Sequence, residues 1–183
     1  MIEISVKKVN LNRLKNKYKQ TIERLPPKLG ATAVRYIHEN FTKQGYVDQG
    51  VRKWKKRKSK KHQGRAVLIK SGALRRDIRV RRTTKTYAVV GTSLPHANIH
   101  NQGGTINHPG GTPFFVNDEG DTVFVSRVVA NAYEAKTGRR MRRTKPHRIN
   151  MPQRQFMPTK RRPSRTLNKR LRATTQRELK KIK

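Results

Sequence analysis

The chain is expected to fold as an α+β protein: a small antiparallel sheet with a projecting β-hairpin, packed by N-terminal helices and a C-terminal helix. Three observations predict this. Apolar residues recur at helical spacing near both ends, Leu11, Leu14, Tyr18, Ile22 and Leu25 at one and Leu167, Leu171 and Leu179 at the other. Between them, β-rich runs alternate with turn residues. Hydrophobic residues make up only 32% of the 183 residues, against roughly 45–50% in an average globular chain. The core must be small, with part of the order supplied by a partner.

In order along the chain, Ile2, Ile4 and Val6 alternate as in a short edge strand. A first helix follows and is expected to stop at Pro26 and Pro27. A second, through Leu29, Ala33, Val34, Ile37 and Phe41, ends before Gly45. Residues 52–65 read as a basic loop with one aromatic, Trp54, expected to anchor it to the core. An antiparallel sheet is expected from about 66–91. It includes the apolar run Val67 to Ile69, an alternating strand through Ile78 and Val80, a turn at Thr83 to Thr86, and a strand through Tyr87, Val89 and Gly91. His96 to Gly111 reads as a short helical turn ending in glycines. Phe114–Val116 and Thr122–Val125 flank a turn-rich loop, which makes 113–128 a hairpin. A strand is expected near 147–151. Pro163 and Ser164 open the last helix, with Ser164 as its N-cap. The whole is read as one domain, 1–183, with the basic loop 52–65, the hairpin 113–128 and a basic C-terminal arm 139–183.

The charge balance narrows the function. Lys and Arg number 46 and Asp and Glu 10, a formal net charge of +36. Such a body attracts polyanions. The charge is partitioned: residues 52–65 and 139–183 hold 27 basic residues and a single acid, Glu178, whereas 92–138 hold 2 basic and 4 acidic residues. Both basic stretches are expected to be poorly ordered until a polyanion is present. There is no Cys, hence no disulfide and no thiolate site. No apolar run is long enough to span a membrane, and the opening MIEISVKKVN lacks a secretion leader's apolar stretch.

Candidate chemistry is sparse. His96 and His100 are four apart, with His108 beyond, a spacing that can share a metal. HANIH lacks the Glu of a zinc-protease motif, so polar turn histidines are the preferred reading and no metal or cofactor is expected. The glycine pairs 103–104 and 110–111 lack the Lys-Ser/Thr of a phosphate loop. Asp118, Glu119 and Asp121 lack calcium-loop spacing and read as a solvated hairpin tip. No set of residues meets the requirements of an active site, and no catalytic role is expected. Lys53, Lys55, Lys56, Arg57, Lys58, Lys60, Lys61, Arg139, Arg140, Arg142 and Arg143 are the candidate contacts to DNA phosphates or to an acidic partner; charge alone does not choose between them.

The order of the remaining signals carries a resemblance. A Trp in a basic loop (KWKKR) is followed by LIKSGALRRDI, then by YAVVG, then by HANIHNQGG, then by MPQRQFMP before a terminal helix. This order resembles the phage virion morphogenesis family, the Mu-type tail-completion or head–tail joining proteins, whose pattern is roughly W…LxxTGxLxxSI…VG…YAxIHxxGG…PxRxFL. The likeness covers about residues 35–182. The matched positions are Gly72, Leu74, Ile99, His100, Gly103, Gly104, Pro152, Arg154 and Phe156. His96 stands where the pattern has Tyr, and residues 109–145 form a longer stretch with its own hairpin.

The resemblance implies a structural protein of a bacteriophage neck or tail, assembled in the host cytoplasm as a multi-copy ring around the DNA channel. It would complete the tail or join it to the head. Its implied partners are the portal or connector, the tail terminator or tail tube, and further copies of itself, with non-specific DNA contact and no membrane. Asp118, Glu119 and Asp121 are the expected subunit contacts, acidic groups meeting Lys or Arg of the next copy. The alternative reading is a nucleic-acid-binding structural protein of ribosomal or DNA-condensing type. A small metal-dependent enzyme is a third.

Overall fold

A computed structural model describes residues 11–56 and 64–182. The expected strand at Ile2–Val6 and four of the basic candidates, Arg57, Lys58, Lys60 and Lys61, lie outside the described residues. The class is α+β, with a long helix and a late helix packing small antiparallel sheets. The chain divides into two compact units: residues through Gln102 together with those from Gln153, and the intervening Gly103–Pro152. The second unit contains the long stretch between the glycine pair and the proline motif.

The first unit opens with a single helix, α1, Leu11–Lys43. The expected break at Pro26 and Pro27 does not occur. Each proline removes a backbone donor, at a cost of about 3 kcal/mol in a helix interior. The second half of the helix is nevertheless held by tertiary packing. Pro26 is itself buried. A Cβ on Gly30 would lie 2.9 Å from a methyl of Val80, so only glycine allows this approach. Tyr36, Ile37 and Phe41 point into the core. Leu11, Tyr18 and Ile22, on the first half, remain exposed.

After α1 come two short paired strands, β1 (Gly45–Val47) and β2 (Val51–Lys53). Val67 to Ile69, expected in a sheet, is instead irregular, and Leu68 takes a positive φ of 62°. The Gln44 amide replaces a strand partner: its Oε1 accepts from the Val67 N–H and its Nε2 donates to the Val67 carbonyl. Helix α2 (Ala73–Asp77) leads into β3 (Arg79–Thr83), which pairs antiparallel with β4 (Ala88–Gly91) across the expected turn. The register slips at Arg81, whose guanidinium turns back to Asp77. Asp77 also accepts from Thr92 Oγ1 at 2.6 Å and from the Ser93 N–H at 2.8 Å. These donors, Thr92 foremost and then Arg81, hold its carboxyl far below the usual range. Helix α3 (Ala97–Gln102) ends at Gly103, φ 73°.

The second unit holds β5 (Gly104–His108), β6 (Pro113–Val116), β7 (Thr122–Phe124), α4 (Arg127–Thr137), β8 (Arg142–Arg143) and β9 (His147–Met151). The 113–128 hairpin forms as β6 and β7, but its tail turns into α4, a helix the sequence reading did not include. Ser126 caps α4 by accepting from the Val129 N–H, and Gly138 ends it at φ 68°. β5 pairs with β9 and β6 with β8. Among the described residues, antiparallel pairing is thus spread over four small sheets rather than gathered in one.

Back in the first unit, α5 (Arg165–Leu179) begins at the expected Ser164, whose Oγ accepts from the Leu167 N–H at 3.0 Å. The expectation of a C-terminal arm beginning at 139 is corrected. Residues 142–143 and 147–151 are strands of the second unit, and 153–182 complete the first. The reason is that α5 meets α1 through paired polar groups: Arg170 with Glu39, Glu178 with Lys28, and Thr174 with Thr32. Thr174 and Glu178 are the buried residues of α5. The Lys28 ammonium, with Lys181, pulls Glu178 down to about 2.

Candidate functional site

Of the family-pattern residues, Gly72, Leu74, Ile99, His100, Arg154 and Phe156 lie in the first unit, the last two on the segment 153–157, and Gly103, Gly104 and Pro152 lie in the second. Phe156 is 1% exposed and packs on Phe41, which meets Trp54 edge-on at 5.4 Å. Trp54 Nε1 donates to the Gln155 carbonyl at 2.8 Å. The tryptophan is therefore an anchor, as expected, and its ring is not free to stack on a base. Two asparagines fix the same segment. Asn101 Oδ1 accepts from the Phe156 and Met157 N–H groups at 2.9 Å each. Asn40, 0% exposed, donates to the Phe156 carbonyl and accepts from the Val47 N–H. Arg154 N–H donates to the His100 carbonyl, and its Nε donates to the Lys55 carbonyl. The motif of α3 and the later proline motif are thus two halves of one buried strap. Asn40 was not singled out from sequence, and Asn101 only as a letter of the motif. A polar residue in a helical apolar stripe is the available signal, and it does not tell a core amide from a surface one.

Leu74 is buried in the same core, and Gly72 precedes α2 at φ 70°. Beside them lies a cavity of about 410 Å³ lined by Val67, Leu68, Leu74 and the polar groups of Lys70, Ser71, His96, His100 and Arg154. Arg154 is 8% exposed. His96 and His100 meet edge to face, 5.9 Å between ring centres. The Nδ1 of His100 is buried and has no hydrogen-bond partner among the described residues. Burial, then the neighbouring His96 and Arg154, push His100 below its ordinary value and keep it neutral. His108 belongs to the second unit, where it stacks on His147 at 4.8 Å. Among the described residues, no group of three or more metal-ligating side chains forms.

The basic candidates fall into both units. Lys53, Lys55 and Lys56 are exposed in the first, where Lys53 Nζ donates to the Lys43 carbonyl at the end of α1. Arg139, Arg140, Arg142 and Arg143 are exposed in the second. There Arg143 pairs with Glu134, and Arg142 lies over the Phe114 ring at 5.1 Å. Most carboxylates are engaged. Five of the nine in the described residues form ion pairs, and Asp48 accepts from the N–H groups of Arg165 and Thr166 at the start of α5. Asp118, Glu119 and Asp121 are the remaining three: exposed at the turn between β6 and β7, with no ion pair among the described residues.

No described helix is long and apolar enough to cross a membrane. No curated protein and no solved structure matches the chain. A family model does, over residues 4–180, and with the strap built from the residues that carry the resemblance, the chain belongs to the phage virion morphogenesis family.

Proposed function

We propose that this virion morphogenesis protein is a structural subunit of the phage neck or tail. It completes the tail or joins it to the head as one of several copies in a ring around the DNA channel. The family match over residues 4–180 carries this reading. The second unit supports it: there only Pro113 and Ala130 are buried, whereas Phe115, Val116, Phe124, Val128, Val129 and Tyr133 are all exposed. A unit with so little interior gains its burial from neighbours in an assembly. Those neighbours are further copies and a portal, connector, terminator or tail-tube protein, met in the virion after assembly in the host cytoplasm.

The role is positional rather than catalytic. Lys53, Lys55, Lys56, Arg57, Lys58, Lys60, Lys61 and Arg139 to Arg143 face DNA phosphates or an acidic ring of virion protein. The burial of Trp54 removes the one aromatic of the 52–65 loop from base stacking, and contact through the Lys and Arg side chains to phosphates is indifferent to sequence. Duplex binding by the free protein is expected to weaken by orders of magnitude between about 50 and 200 mM salt. A shallow salt dependence would count against phosphate contact. The decisive experiment is microscopy of particles made with and without the gene. Complete tails and heads that remain unjoined, with a multi-copy density at the neck or tail end of complete particles, are the expected result. Normal particles without the protein overturn the reading.

A further inference from the structure

The first half of α1 carries an apolar stripe that the described residues leave uncovered. Leu11, Leu14, Tyr18 and Ile22 recur at three and four and so share one helical face. Leu11 is 73% exposed, Tyr18 45% and Ile22 52%. The second half of the same helix buries Tyr36, Ile37 and Phe41. One element is thus a core helix at one end and an open face at the other. Single exposed apolar residues are ordinary. These are aligned over about 17 Å, three helical turns, and they run into a cleft.

The cleft, of about 550 Å³, lies where α1 meets the end of α5 and the turn Lys180–Ile182 that follows it. Leu14 and Tyr18 line it from α1; Gln176, Leu179, Lys180 and Ile182 line it from the other side. A concave apolar surface between two helical elements fits a rod with an apolar side, which is the shape of a third helix.

Charge selects the guest. Between Leu11 and Leu25 stand Arg13, Lys15, Lys17, Lys19 and Arg24 against one acid, Glu23, and that acid pairs with Lys85. On the adjoining face of α1, the Glu178 carboxylate is taken by Lys28 and Lys181. Lys17, Lys19, Arg24 and Lys180 form no ion pair among the described residues. A second copy of α1 laid along the first would set five cations against five, an arrangement that repels. Duplex DNA would neutralise the cations and leave the apolar stripe in water. A bilayer would accept both, but a flat surface meets the rim of a cleft and not its walls.

We propose that the cleft between the first half of α1 and the end of α5 seats an acidic amphipathic helix of another virion protein. The apolar face of that helix lies on Leu11, Leu14, Tyr18, Ile22 and Leu179, and its carboxylates meet Lys17, Arg24 and Lys180. The inference rests on the neck or tail reading and names the chemistry of one partner there. The apolar anchors hold such a contact, and the charges at its rim steer it.

Two variants of the full chain test it. Y18S/I22S removes anchors and K17E/R24E reverses rim charges; all four positions are exposed, and helical circular dichroism checks that each variant folds. The probe is a synthetic peptide of about four helical turns, with Leu at helical spacing on one face and Glu on the other. Its control has the same composition with the leucines scattered. The parent is expected to bind the patterned peptide about tenfold or more tighter than the control, and each variant to lose about tenfold. Equal affinity for the two peptides reduces the contact to charge alone and overturns it. Phosphatidylglycerol vesicles that bind the parent and lose Y18S/I22S, with no preference between the peptides, identify a membrane surface instead. In particles, a photo-crosslinking amino acid in place of Tyr18 is expected to join this chain to another virion protein, at a peptide where carboxylates flank an apolar helical pattern. Adducts only to a second copy, to DNA or to this chain's own residues 1–10 overturn the proposal, as does the absence of any adduct. None of these outcomes touches the neck or tail reading, which is decided by particles made without the gene.

Discussion

The first unit and the second unit are built on opposite economies of burial. In the first, Tyr36, Ile37, Phe41, Trp54, Leu74, Ile78 and Phe156 form one contiguous core, and its polar segments are tied down by buried amides. In the second, paired strands and one helix carry a groove of about 680 Å³ lined by Phe114, Phe115, Val116, Val129 and Tyr133, open to solvent and edged by Arg140 and Arg142. The same backbone rules give secondary structure in both, but only one buries enough to be a core in its own right. The contrast teaches that the two units differ in burial rather than in composition. Apolar side chains are present in both, and those of the second are left mostly exposed.

Substitutions that separate the two units break or sharpen this contrast. Phe41→Ala removes the ring that joins Trp54 and Phe156 and is expected to cost about 3–5 kcal/mol by denaturant unfolding. Phe124→Ser, 61% exposed on β7, is expected to leave that transition within about 0.5 kcal/mol and to reduce particle assembly instead. Equal losses from the two would erase the distinction. Asn101→Ala strands the N–H groups of Phe156 and Met157 and is expected to cost about 2–3 kcal/mol. A neutral result would mean that the strap is held by packing alone.

Acid sharpens the comparison within the first unit. Glu39, drawn down mainly by its bond to Arg170, and Glu178, drawn down first by Lys28, bind fewer protons folded than unfolded. Both contributions are complete above the ordinary value of 4.5 and decline as pH falls below it, that of Glu178 being lost through about 2. Helical circular dichroism followed over that window should show α5 losing stability, and Glu178→Gln should flatten the dependence. The smallest effect is Ser164→Ala, about 1 kcal/mol from loss of the α5 cap, read as a shift in thermal midpoint.

Local chemistry made several elements legible. The turn residues at 117–121 placed the β6–β7 hairpin, Thr83 to Thr86 placed the β3–β4 turn, and Pro163-Ser164 placed the start of α5. What was missed depended on distance along the chain. The continuity of α1 through two prolines follows from packing against β3, β4 and α5, which no local rule contains. The β5–β9 ladder joins two polar stretches with little alternation to mark them. Helix α4 had its cap residues, Ser126 and Gly138, but Val128, Val129 and Tyr133 read equally well as strand. For the candidate site, the acidic turn was visible in composition. The cavity was not, because residues 67–74, 96–100 and 154 meet only after folding.

The closure of α1 by α5 has a consequence for timing. The bonds Lys28–Glu178, Thr32–Thr174 and Asn40–Phe156 link residues more than a hundred positions apart. During synthesis, α1 and the β3–β4 hairpin emerge long before their closing partners, and at about 5–20 residues per second several seconds separate the two events. Throughout that interval Phe41 and Tyr36 lack their covering segment, so the first unit is incomplete on the ribosome. A chain cut short before Phe156 never acquires the strap that supports His100 and Arg154. Interrupted translation products are thereby left with Phe41 and Trp54 lacking the segment that packs and bonds against them in the finished first unit.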